Sequence, residues 1–550
     1  TRLDLGGCLG PSCKVVDGYD FVNNDNDPMD NHGHGTYLTS IIAGDGVLKG
    51  IAPDAKIYAF KACASTGLCR LDDIVAAFER AVDPNQDGNF EDHVDIISIS
   101  LGGVFNPYNP LPQVIDTSVK NGIVNVVPVG NHGSRARMVS GLGIASKAIT
   151  VGAVNKDDKL ANFSSKGPTF RDLLKPDILA PGVDICASAL EHWYRLDRCI
   201  DDEHSMAFGT SLASSHVSGA AALLLEKYPG MEPEKVKAIL METAVDKGYI
   251  EHEQGAGRID VLKAISMPVV AMPNLFEFEV AENTNQKSFP IEIVIENLDS
   301  GNYTFDASSA VNTSIINAEI TPNILSMDKN EITITFNAQE GNLNEGIYTG
   351  VIILTSRENP DVVLRLLYSL YIDYTPPVIS NIQEADHFNR DISRQYIMWN
   401  TDDLTNCSFF YRKRGSDNFY EVKTSGIFYH VVDILELEYG EYEYYIVAKN
   451  RMEMTSVANN DGNYYTFNAR GSGRVPRTGF TKKDSFPKSM VLLTEIPEID
   501  FDNDGKREFI MREKTPEGSD ETILHIYEAQ DDDTYSRVYM KNMKEYAEHP

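Results

Sequence analysis

The sequence predicts an α/β domain with a parallel sheet at its N-terminal end and all-β structure in the remainder. Apolar strands alternate with helical periods through residues 1–264, and the hydrophobic period changes to two near Ser266. Strand–helix alternation is typical of a parallel sheet covered by helices on both faces, and period two is typical of half-buried strands. A chain of 550 residues is too long for one hydrophobic core, so we expect several domains.

The predicted parallel sheet occupies residues 1–264. Its buried strands are short apolar runs, and amphipathic helices lie between them. The strands are predicted at Lys56–Ala62, Val94–Leu101, Ile123–Gly130 and Ala148–Val154, and two helices at Leu71–Val82 and Glu234–Val245. In such a sheet, functional side chains are expected at the C-terminal ends of strands and in the loops that follow them.

Two all-β sandwich domains are predicted next. In residues 266–372 apolar side chains alternate with polar ones, as at Ile291, Ile293 and Ile295, which is typical of a sandwich. Thr375-Pro376-Pro377 marks the following boundary. Residues 373–470 carry aromatic stripes at strand spacing and resemble fibronectin type III modules. Such stripes more often form a core than a binding site, so we assign no ligand to them.

The C-terminal region begins with a linker at residues 471–485, rich in Gly, Ser, Arg and Lys. Residues 486–550 then contain acids at alternate positions before Gly505, a spacing that suits calcium. The predicted ligands are Asp500, Asp502, Asp504 and Glu508. The alternative is a solvated acidic hairpin. The sequence of this region resembles an integrin-like propeller repeat. Because one copy cannot build a propeller, we expect this partial β-propeller-like segment to be cut at its C-terminus.

Composition argues against several function classes. The formal net charge of −32 and the pI of about 4.7 argue against binding to nucleic acid or to an anionic membrane. A solvated, halophile-like surface is a second explanation for this charge. No apolar run reaches the ~18 residues that a membrane span needs. Local clusters of acids suit bound cations, and no organic cofactor is expected.

Six of the seven cysteines fall into pairs that are close in sequence. We predict the disulfides Cys8–Cys13, Cys63–Cys69 and Cys186–Cys199, each of which closes a short loop, as in a secreted domain. Cys407 is left over. The alternative is a set of free thiols in a cytosolic protein. Disulfides of this kind predict an extracellular or cell-surface location.

An acidic stretch at residues 83–92 has the spacing of a calcium loop. Oxygen-bearing side chains recur at alternate positions, and Gly88 suits the sharp turn. The candidate ligands are Asp83, Asn85, Asp87, Asn89 and Asp92. Val94 stands where a full EF-hand loop has Glu, so Asp92 or Asp95 would replace it. We predict a structural Ca²⁺ here, and the alternative is an unliganded polar turn.

Three motifs carry chemistry. Ser211 follows Gly-Thr and begins a helix of small residues, so its hydroxyl is expected at a helix N-terminus, where free N–H groups favour negative charge. The alternative is an ordinary N-cap serine. His34 precedes Gly-Thr and would be the base that a serine nucleophile needs. Asn131 ends an apolar strand, where its amide is a ready oxyanion donor.

In this order, the three motifs resemble the subtilisin-like serine proteases over roughly residues 1–264. The resemblance implies that Ser211 attacks the peptide carbonyl and that His34 carries the proton to the leaving amine. Asn131 and the Ser211 N–H would hold the oxyanion.

The same resemblance implies that the backbone of Ser100, Leu101 and Gly102 binds an extended polypeptide substrate. Two other histidines compete as bases. His32 lacks the Gly-Thr that follows His34, and His216 is expected to pack on the helix after the nucleophile.

A protease of this type also needs an aspartate that precedes the histidine and orients it. The candidates are Asp4, Asp17, Asp20, Asp25, Asp27 and Asp30. None of them is flanked by the residues that surround the catalytic aspartate in the family. Thr1–Leu5 resembles the family sequence shortly downstream of that aspartate. We therefore expect the catalytic aspartate to lie outside the chain, and residues 1–550 alone to be nearly inactive and poorly folded.

The leading functional hypothesis is a secreted or cell-surface serine endopeptidase that acts on polypeptides through an acyl-enzyme. The alternative is a catalytically inert scaffold in a surface adhesion or binding protein, in which the sandwiches and the propeller-like tail carry the function. In both cases the accessory sandwiches are candidates for contacts with surface partners.

Overall fold

The computed structural model describes residues 3–101, 110–133, 135–190, 198–389, 392–435 and 437–469, and four short segments beyond them: 490–492, 508–513, 523–529 and 535–542. The chain divides at Thr375 into two units, Thr1–Thr375 and Pro376–Pro550. Among the described residues, no helix combines the length and the apolar character needed to cross a membrane.

The first unit begins with an α/β part that contains seven helices and eight strands among its described residues. In chain order these are β1 (Val15–Asp20), α1 (His34–Ala43), β2 (Ile57–Lys61), α2 (Leu71–Val82), β3 (Ile96–Ser98), α3 (Leu111–Lys120), β4 (Val124–Pro128), β5 (Ile149–Val154), β6 (Ile178–Pro181), β7 (Ile185–Ser188), β8 (His204–Ala207), α4 (Thr210–Lys227), α5 (Pro233–Glu242), α6 (Glu251–Gln254) and α7 (Val261–Ser266).

The predicted elements are present. The helix predicted at Leu71–Val82 has these bounds, and each predicted strand is observed within its predicted range. The observed strands are shorter because an apolar run continues into loops where ladder hydrogen bonding has already ended.

Two parallel sheets organise the α/β part. Four strands pair in the order β3-β4-β5-β6, and β1 pairs with β2 in a separate sheet. Helix α4 packs across the four-stranded sheet, and its alanines, such as Ala213 and Ala220, are fully buried there. Small side chains let the helix approach the sheet closely.

All three predicted disulfides, Cys8–Cys13, Cys63–Cys69 and Cys186–Cys199, are present. Cys407 is unpaired and buried. Cys63–Cys69 closes a loop directly after β2, and Cys186–Cys199 ties β7 to the segment that leads into β8.

The rest of the first unit is all-β. Its strands are β9 (Val269–Met272), β10 (Leu275–Val280), β11 (Gln286–Asn297), β12 (Thr304–Val311), β13 (Ile316–Thr321), β14 (Ile324–Ser326), β15 (Asp328–Ala338), β16 (Gly346–Ser356) and β17 (Val363–Ile372). They form two sheets, β10-β17-β16-β12-β14 and β13-β15-β11-β9, which share a core that includes Phe278, Phe336 and Tyr368. Val351 and Leu367 belong instead to the core beneath α4 and α5, so the two parts of the unit are continuous.

The second unit begins with a β region whose strands are β18 (Ile379–Asn389), β19 (Ile392–Lys413), β20 (Tyr420–Leu435), β21 (Gly440–Asn450), β22 (Thr455–Ala458) and β23 (Tyr465–Ala469). These six strands form one sheet over a core that includes Trp399, Phe409 and Tyr444. The fibronectin type III-like topology of residues 373–470 stays a prediction.

Four further strands pair in chain order as one antiparallel sheet: β24 (Met490–Leu492), β25 (Glu508–Glu513), β26 (Ile523–Ala529) and β27 (Tyr535–Asn542). The predicted linker at 471–485 and the predicted ligands Asp500, Asp502 and Asp504 lie outside the described residues. For Glu508 only the backbone is described. The propeller-like repeat and its calcium site therefore stay predictions.

Candidate active site

A cleft of about 1640 Å³ separates β2 from β3. Residues 55–63 line one wall without interruption, and residues 92–101 line the other. Among the described residues, β2 and β3 do not pair with each other. The lining also includes His34, Asn131 and Ser211, so the structure brings the three predicted catalytic side chains to one cleft.

Ser211 is the second residue of α4, after the N-cap Gly209. Backbone N–H groups in the first turn of a helix have no intrahelical acceptor, and the helix dipole makes this end positive. The Ser211 carbonyl accepts hydrogen bonds from the hydroxyls of Ser214 at 2.8 Å and Ser215 at 3.0 Å. These contacts fix the first turn, so the nucleophile and its own N–H are held in one orientation.

Asn131 follows β4 through Gly130, which has φ of 110°. A Cβ at Gly130 would lie 2.9 Å from Ser140 Cβ and 3.0 Å from Ser165 Oγ, so this turn requires glycine. Asn131 Oδ1 accepts hydrogen bonds from the Thr210 N–H and the Thr210 hydroxyl, both at 2.9 Å. Because an N–H can only donate, the atom that faces Thr210 must be the amide oxygen. Nδ2 is therefore left as the donor that an oxyanion needs.

His34 is the first residue of α1 and is half-buried. Burial lowers the pKa of His34, and the neighbouring His32 lowers it further, while the Asp30 carboxylate and a hydrogen bond to the Ser100 backbone act in the opposite direction. A histidine whose pKa lies below its usual value is neutral at pH 7. This is the protonation state that a general base requires.

Asp30 lies four residues before His34 and caps α1. Its Oδ1 accepts from the N–H groups of His32 at 2.9 Å and Gly33 at 2.8 Å. Its Oδ2 accepts from the N–H of Thr36 at 2.8 Å and from the Thr36 hydroxyl at 2.7 Å. Burial acts to raise the pKa of Asp30, but these hydrogen bonds bring it below its usual value. Asp30 is therefore an ionised carboxylate whose field reaches His34.

The other five candidate aspartates have structural contacts elsewhere. Asp4 is buried against Ser188 and His204, Asp20 is paired with Lys61, and Asp17, Asp25 and Asp27 accept hydrogen bonds from nearby backbone N–H groups. These contacts fix turns and chain ends.

The predicted substrate strand continues from β3. Ser100 Oγ lies 3.1 Å from Ser214 Oγ, which ties this segment to the first turn of α4. Ser100 and Leu101 both line the cleft, and Gly102 lies outside the described residues. The wall that would bind an extended chain is thus connected to the nucleophile.

The two competing histidines occupy different environments. His32 lines the cleft, and its ring centroid lies 6.4 Å from that of His34. His216 lies on α4, where its Nδ1 is 2.9 Å from the Leu212 carbonyl, and burial lowers its pKa.

At the calcium loop, the structure brings together Asp83, Asp87 and Asp92, whose nearest oxygens all lie within 4.8 Å of one another. Asn85 Oδ1 accepts from the Asp87 N–H at 2.9 Å, and the Asn89 N–H donates to Asp87 at 2.8 Å. Three carboxylates with oxygen-only donors suit a hard cation such as Ca²⁺. Asn85 and Asn89 also make hydrogen bonds within the loop, and their role as ligands stays a prediction.

Thr210 has a role that the sequence interpretation missed. Its backbone and hydroxyl orient the amide of Asn131 from the other side of the site. The only signal for this role in the sequence is the threonine of Gly209-Thr210-Ser211. The pairing with Asn131 joins positions 79 residues apart, and no local pattern indicates such a contact.

The chain is similar to known proteases over its α/β part. The model of the subtilase family (Peptidase_S8) matches residues 11–257. Serine protease AprX of Bacillus subtilis is 32% identical over 275 residues, which are 46% of this chain and 62% of that protein. Subtilisin DY of Bacillus licheniformis is 35% identical over 43% of this chain and 78% of that protein. Subtilisin of Bacillus pumilus is 34% identical over 46% of this chain and 85% of that protein.

Proposed function

The chain belongs to the subtilase family, and we propose that it is a serine endopeptidase that hydrolyses polypeptides through an acyl-enzyme. One observation carries the proposal: a serine at a helix N-terminus, an amide with a fixed orientation and a histidine line the same cleft. The match covers 62% of AprX, so the activity of the whole protein is part of this proposal.

In the proposed reaction, His34 accepts the hydroxyl proton as Ser211 Oγ bonds to the peptide carbonyl carbon. The oxyanion that forms receives hydrogen bonds from Asn131 Nδ2 and from the Ser211 N–H at the positive end of α4. His34 then donates the proton to the leaving amine. Water releases the acyl group from Ser211 by the same steps in reverse order.

We propose further that the carboxylate that orients His34 arrives on an extended segment bound between β2 and β3. Strands of a parallel sheet are normally buried on both faces, but most residues of β2 and β3 are half-buried or exposed. An extended segment in the cleft would bury these strands and pair with their edges. Asp30 is the alternative source of the negative charge, since its field already acts on His34.

We also propose a structural Ca²⁺ held by Asp83, Asp87 and Asp92. The loop connects α2 to β3, so a bound cation would stabilise one wall of the cleft. A ligand that binds only the folded state raises its melting temperature. We expect millimolar calcium to raise the melting temperature of the parent relative to excess chelator, and Asp87→Asn to remove most of this shift. Equal shifts in the parent and the variant would contradict this site.

An extracellular or cell-surface location is the proposal that the three disulfides support, because such bonds persist in oxidising compartments. Residues 373–470 as a fibronectin type III-like domain and residues 486–550 as a propeller-like repeat remain proposals. Both are candidate binding regions for surface partners.

The decisive experiment is labelling with a fluorophosphonate probe, which reacts only with an activated serine. We expect the parent to be labelled and Ser211→Ala to be unlabelled and inactive on casein. The matched control is Ser266→Ala, a substitution at an exposed serine of α7, which should be labelled like the parent. A folded parent that resists the probe, also when an extended segment is supplied for the cleft, would favour the inert scaffold.

A further inference from the structure

The imidazole of His204 lies between two carboxylates, one at each ring nitrogen. His204 is the first residue of β8 and is 2% exposed. Its Nε2 lies 2.7 Å from Asp4 Oδ2, and its Nδ1 lies 2.6 Å from Asp201 Oδ1. An ionised carboxylate can only accept hydrogen bonds, so both contacts are satisfied only when each ring nitrogen carries a proton. The arrangement therefore fits the imidazolium and not the neutral ring.

The same contacts favour the charged form of His204. Burial acts to lower the pKa of His204, but the hydrogen bonds and charges of Asp4 and Asp201 bring it above its usual value. Burial acts to raise the pKa of Asp4, but hydrogen bonds from His204 and from the Ser188 hydroxyl bring it below its usual value. The hydrogen bond from His204 also lowers the pKa of Asp201. An imidazolium between two carboxylates is the consistent protonation state.

The charges that act on His204 come from two segments. Asp4 lies in a 3-10 turn at Leu3–Leu5, and Asp201 lies in the segment before β8. Further charged or titratable side chains stand on the surrounding segments: Tyr37 of α1, Asp45 and Lys49, which form an ion pair after α1, Arg198, which donates to Ser205 Oγ at 3.3 Å, and Asp202 and Glu203 before β8.

The hairpin of β7 and β8 connects this cluster to helix α1. Ser188 of β7 pairs with His204 across the hairpin, and its hydroxyl donates to Asp4 Oδ2 at 2.7 Å. The Ser188 N–H donates to Ser40 Oγ of α1 at 3.0 Å. The Tyr37 hydroxyl of the same helix donates to a backbone carbonyl of β8 at 2.8 Å. The cluster and α1 therefore hold the same hairpin.

The nucleophile and the base stand next to these two elements. Helix α1 begins at His34, and β8 ends at Ala207, four residues before Ser211. A displacement of the hairpin relative to α1 would therefore change the position of the Ser211 hydroxyl relative to the base. A misplacement of about 1 Å at a reacting group can reduce a rate by ~100-fold.

We infer that His204 is a positioning residue: as an imidazolium it holds the β7–β8 hairpin, and with it the turn that carries Ser211, against α1. The inference rests on the proposed endopeptidase function and adds an alkaline limit to it. When His204 loses its proton, the lone pair of one ring nitrogen faces a carboxylate, and that hydrogen bond is lost.

The sign of the pH dependence follows from the raised pKa of His204. A histidine of this kind contributes stability that is complete below its unfolded pKa and is lost as the pH rises through its folded pKa. Turnover should therefore fall on the alkaline side as His204 becomes neutral. The pKa of His34 is lowered, so the base sets the acid limb, and the two histidines bound a range of active pH.

The first test is Asp201→Asn, with the pH dependence of kcat measured on an internally quenched peptide. The Asp201 side chain is 44% exposed, and the asparagine carbonyl can still accept from His204 Nδ1, so the variant keeps the hydrogen bond and removes one charge. We expect kcat on the plateau to be unchanged and the alkaline midpoint to fall by about one pH unit. Asp202→Asn, which removes the same charge from the next exposed residue, should leave the midpoint in place.

His204→Gln removes the titration altogether. Its kcat should equal that of the parent above the alkaline midpoint, and it should show no alkaline inflection of its own. An alkaline limb like that of the parent in His204→Gln, or an unmoved midpoint in Asp201→Asn, would overturn the inference.

A readout without turnover separates this inference from the proposed function. In Ser211→Ala protein, hydrogen exchange at the Ser188 amide reports the contact with Ser40 of α1. Corrected for the intrinsic pH dependence of exchange, its protection should fall through the alkaline midpoint, and about one pH unit lower when Asp201→Asn is added. Protection that does not change with pH would overturn the inference. A parent that resists the fluorophosphonate while this protection titrates as expected would overturn the proposed function and leave the coupling through His204 established.

Discussion

The nucleophile side and the base side of the cleft differ in how completely a sheet supports them. Ser211 and Asn131 are held next to β4 and β5, whose residues are all buried, and α4 covers this sheet. His34 lines the cleft at the start of α1, and the β2 wall of this cleft is open enough that Tyr58 is 41% exposed. The nucleophile and the oxyanion donor thus lie against fully buried strands, while the β2 and β3 walls of the cleft that the base lines consist of half-buried and exposed residues.

The two sides of the cleft also differ in their electrostatics. Asn131 is fixed by two hydrogen bonds from Thr210. Asn131 follows β4 of the four-stranded sheet, and Thr210 begins α4, which covers that sheet. The Asp30 carboxylate acts on His34, but its two oxygens already accept four hydrogen bonds at the start of α1. A carboxylate so occupied can act on the histidine through space, but it has little capacity left to accept a ring N–H.

The largest change in activity is expected when an extended segment fills the cleft between β2 and β3. An apolar extended segment that contains Asp-Thr-Gly, joined before Thr1, should raise turnover on casein by about 10⁴ relative to the same segment with Asn-Thr-Gly. The magnitude is that of subtilisin, a relative of this chain, in which the equivalent aspartate contributes about 3 × 10⁴ in kcat.

The Asn-Thr-Gly segment is the matched control, because it supplies the same strand without the charge. Equal activity of the two fusions and of the unextended chain would mean that the base side is complete as it stands. Asp30→Asn should then lower kcat by a comparable factor.

The substitution Asn131→Leu tests the oxyanion donor on the side of the cleft that carries Ser211. Leucine has a similar shape but cannot donate to the oxyanion, so kcat should fall by about 10²–10³, with KM little changed, as for oxyanion donors generally, for which subtilisin is the reference case. Thr210→Val, which keeps the backbone N–H but removes the hydroxyl, should have a smaller effect of the same kind. A loss below tenfold for Asn131→Leu would show that its amide is not aimed at the reacting carbonyl.

Glu242 of α5 lies where the α/β part of the first unit meets β9 of the all-β part. It is fully buried and accepts a hydrogen bond from the Ala271 N–H at 3.1 Å. Burial raises its pKa well above the usual value. Because the folded state holds this proton more tightly than the unfolded state, stability should be highest below the unfolded pKa and should fall as pH rises towards the folded pKa.

Glu242→Gln keeps the acceptor and removes the titration. We expect its melting temperature to equal that of the parent at low pH and to exceed it at pH 8, by roughly 2–4 °C for each kcal/mol recovered. Glu340→Gln, at an exposed glutamate, is the control and should show no such pH dependence. A lower melting temperature of Glu242→Gln at pH 8 would mean that the carboxylate itself stabilises the junction.

Structural features that depend on local sequence patterns could be predicted from the sequence. The helix at Leu71–Val82, the four strands and the three disulfides follow from periodicity and spacing, and all are present in the structure. The prediction that all four strands are buried was wrong for β2 and β3, whose residues are half-buried or exposed. Contacts between distant segments left no such pattern. The Thr210–Asn131 contact and the insertion of Val351 and Leu367 into the α/β core depend on tertiary packing, and the cleft between β2 and β3 depends on strand order.

The smallest expected effect concerns the two charges that act on His34 from opposite directions. His32 lowers the pKa of His34 and Asp30 raises it, so removing each should move the acid limb of activity in a different direction. In His32→Asn the pKa of His34 should rise, and the midpoint of the pH dependence of fluorophosphonate labelling should move to higher pH. In Asp30→Asn the midpoint should move to lower pH. His93→Asn, at another histidine of the cleft lining, should leave the midpoint in place. Shifts of both variants in the same direction would show that they alter the fold around α1 rather than the field at the base. Opposite shifts would show that the side of the cleft that carries His34 is tuned electrostatically for catalysis.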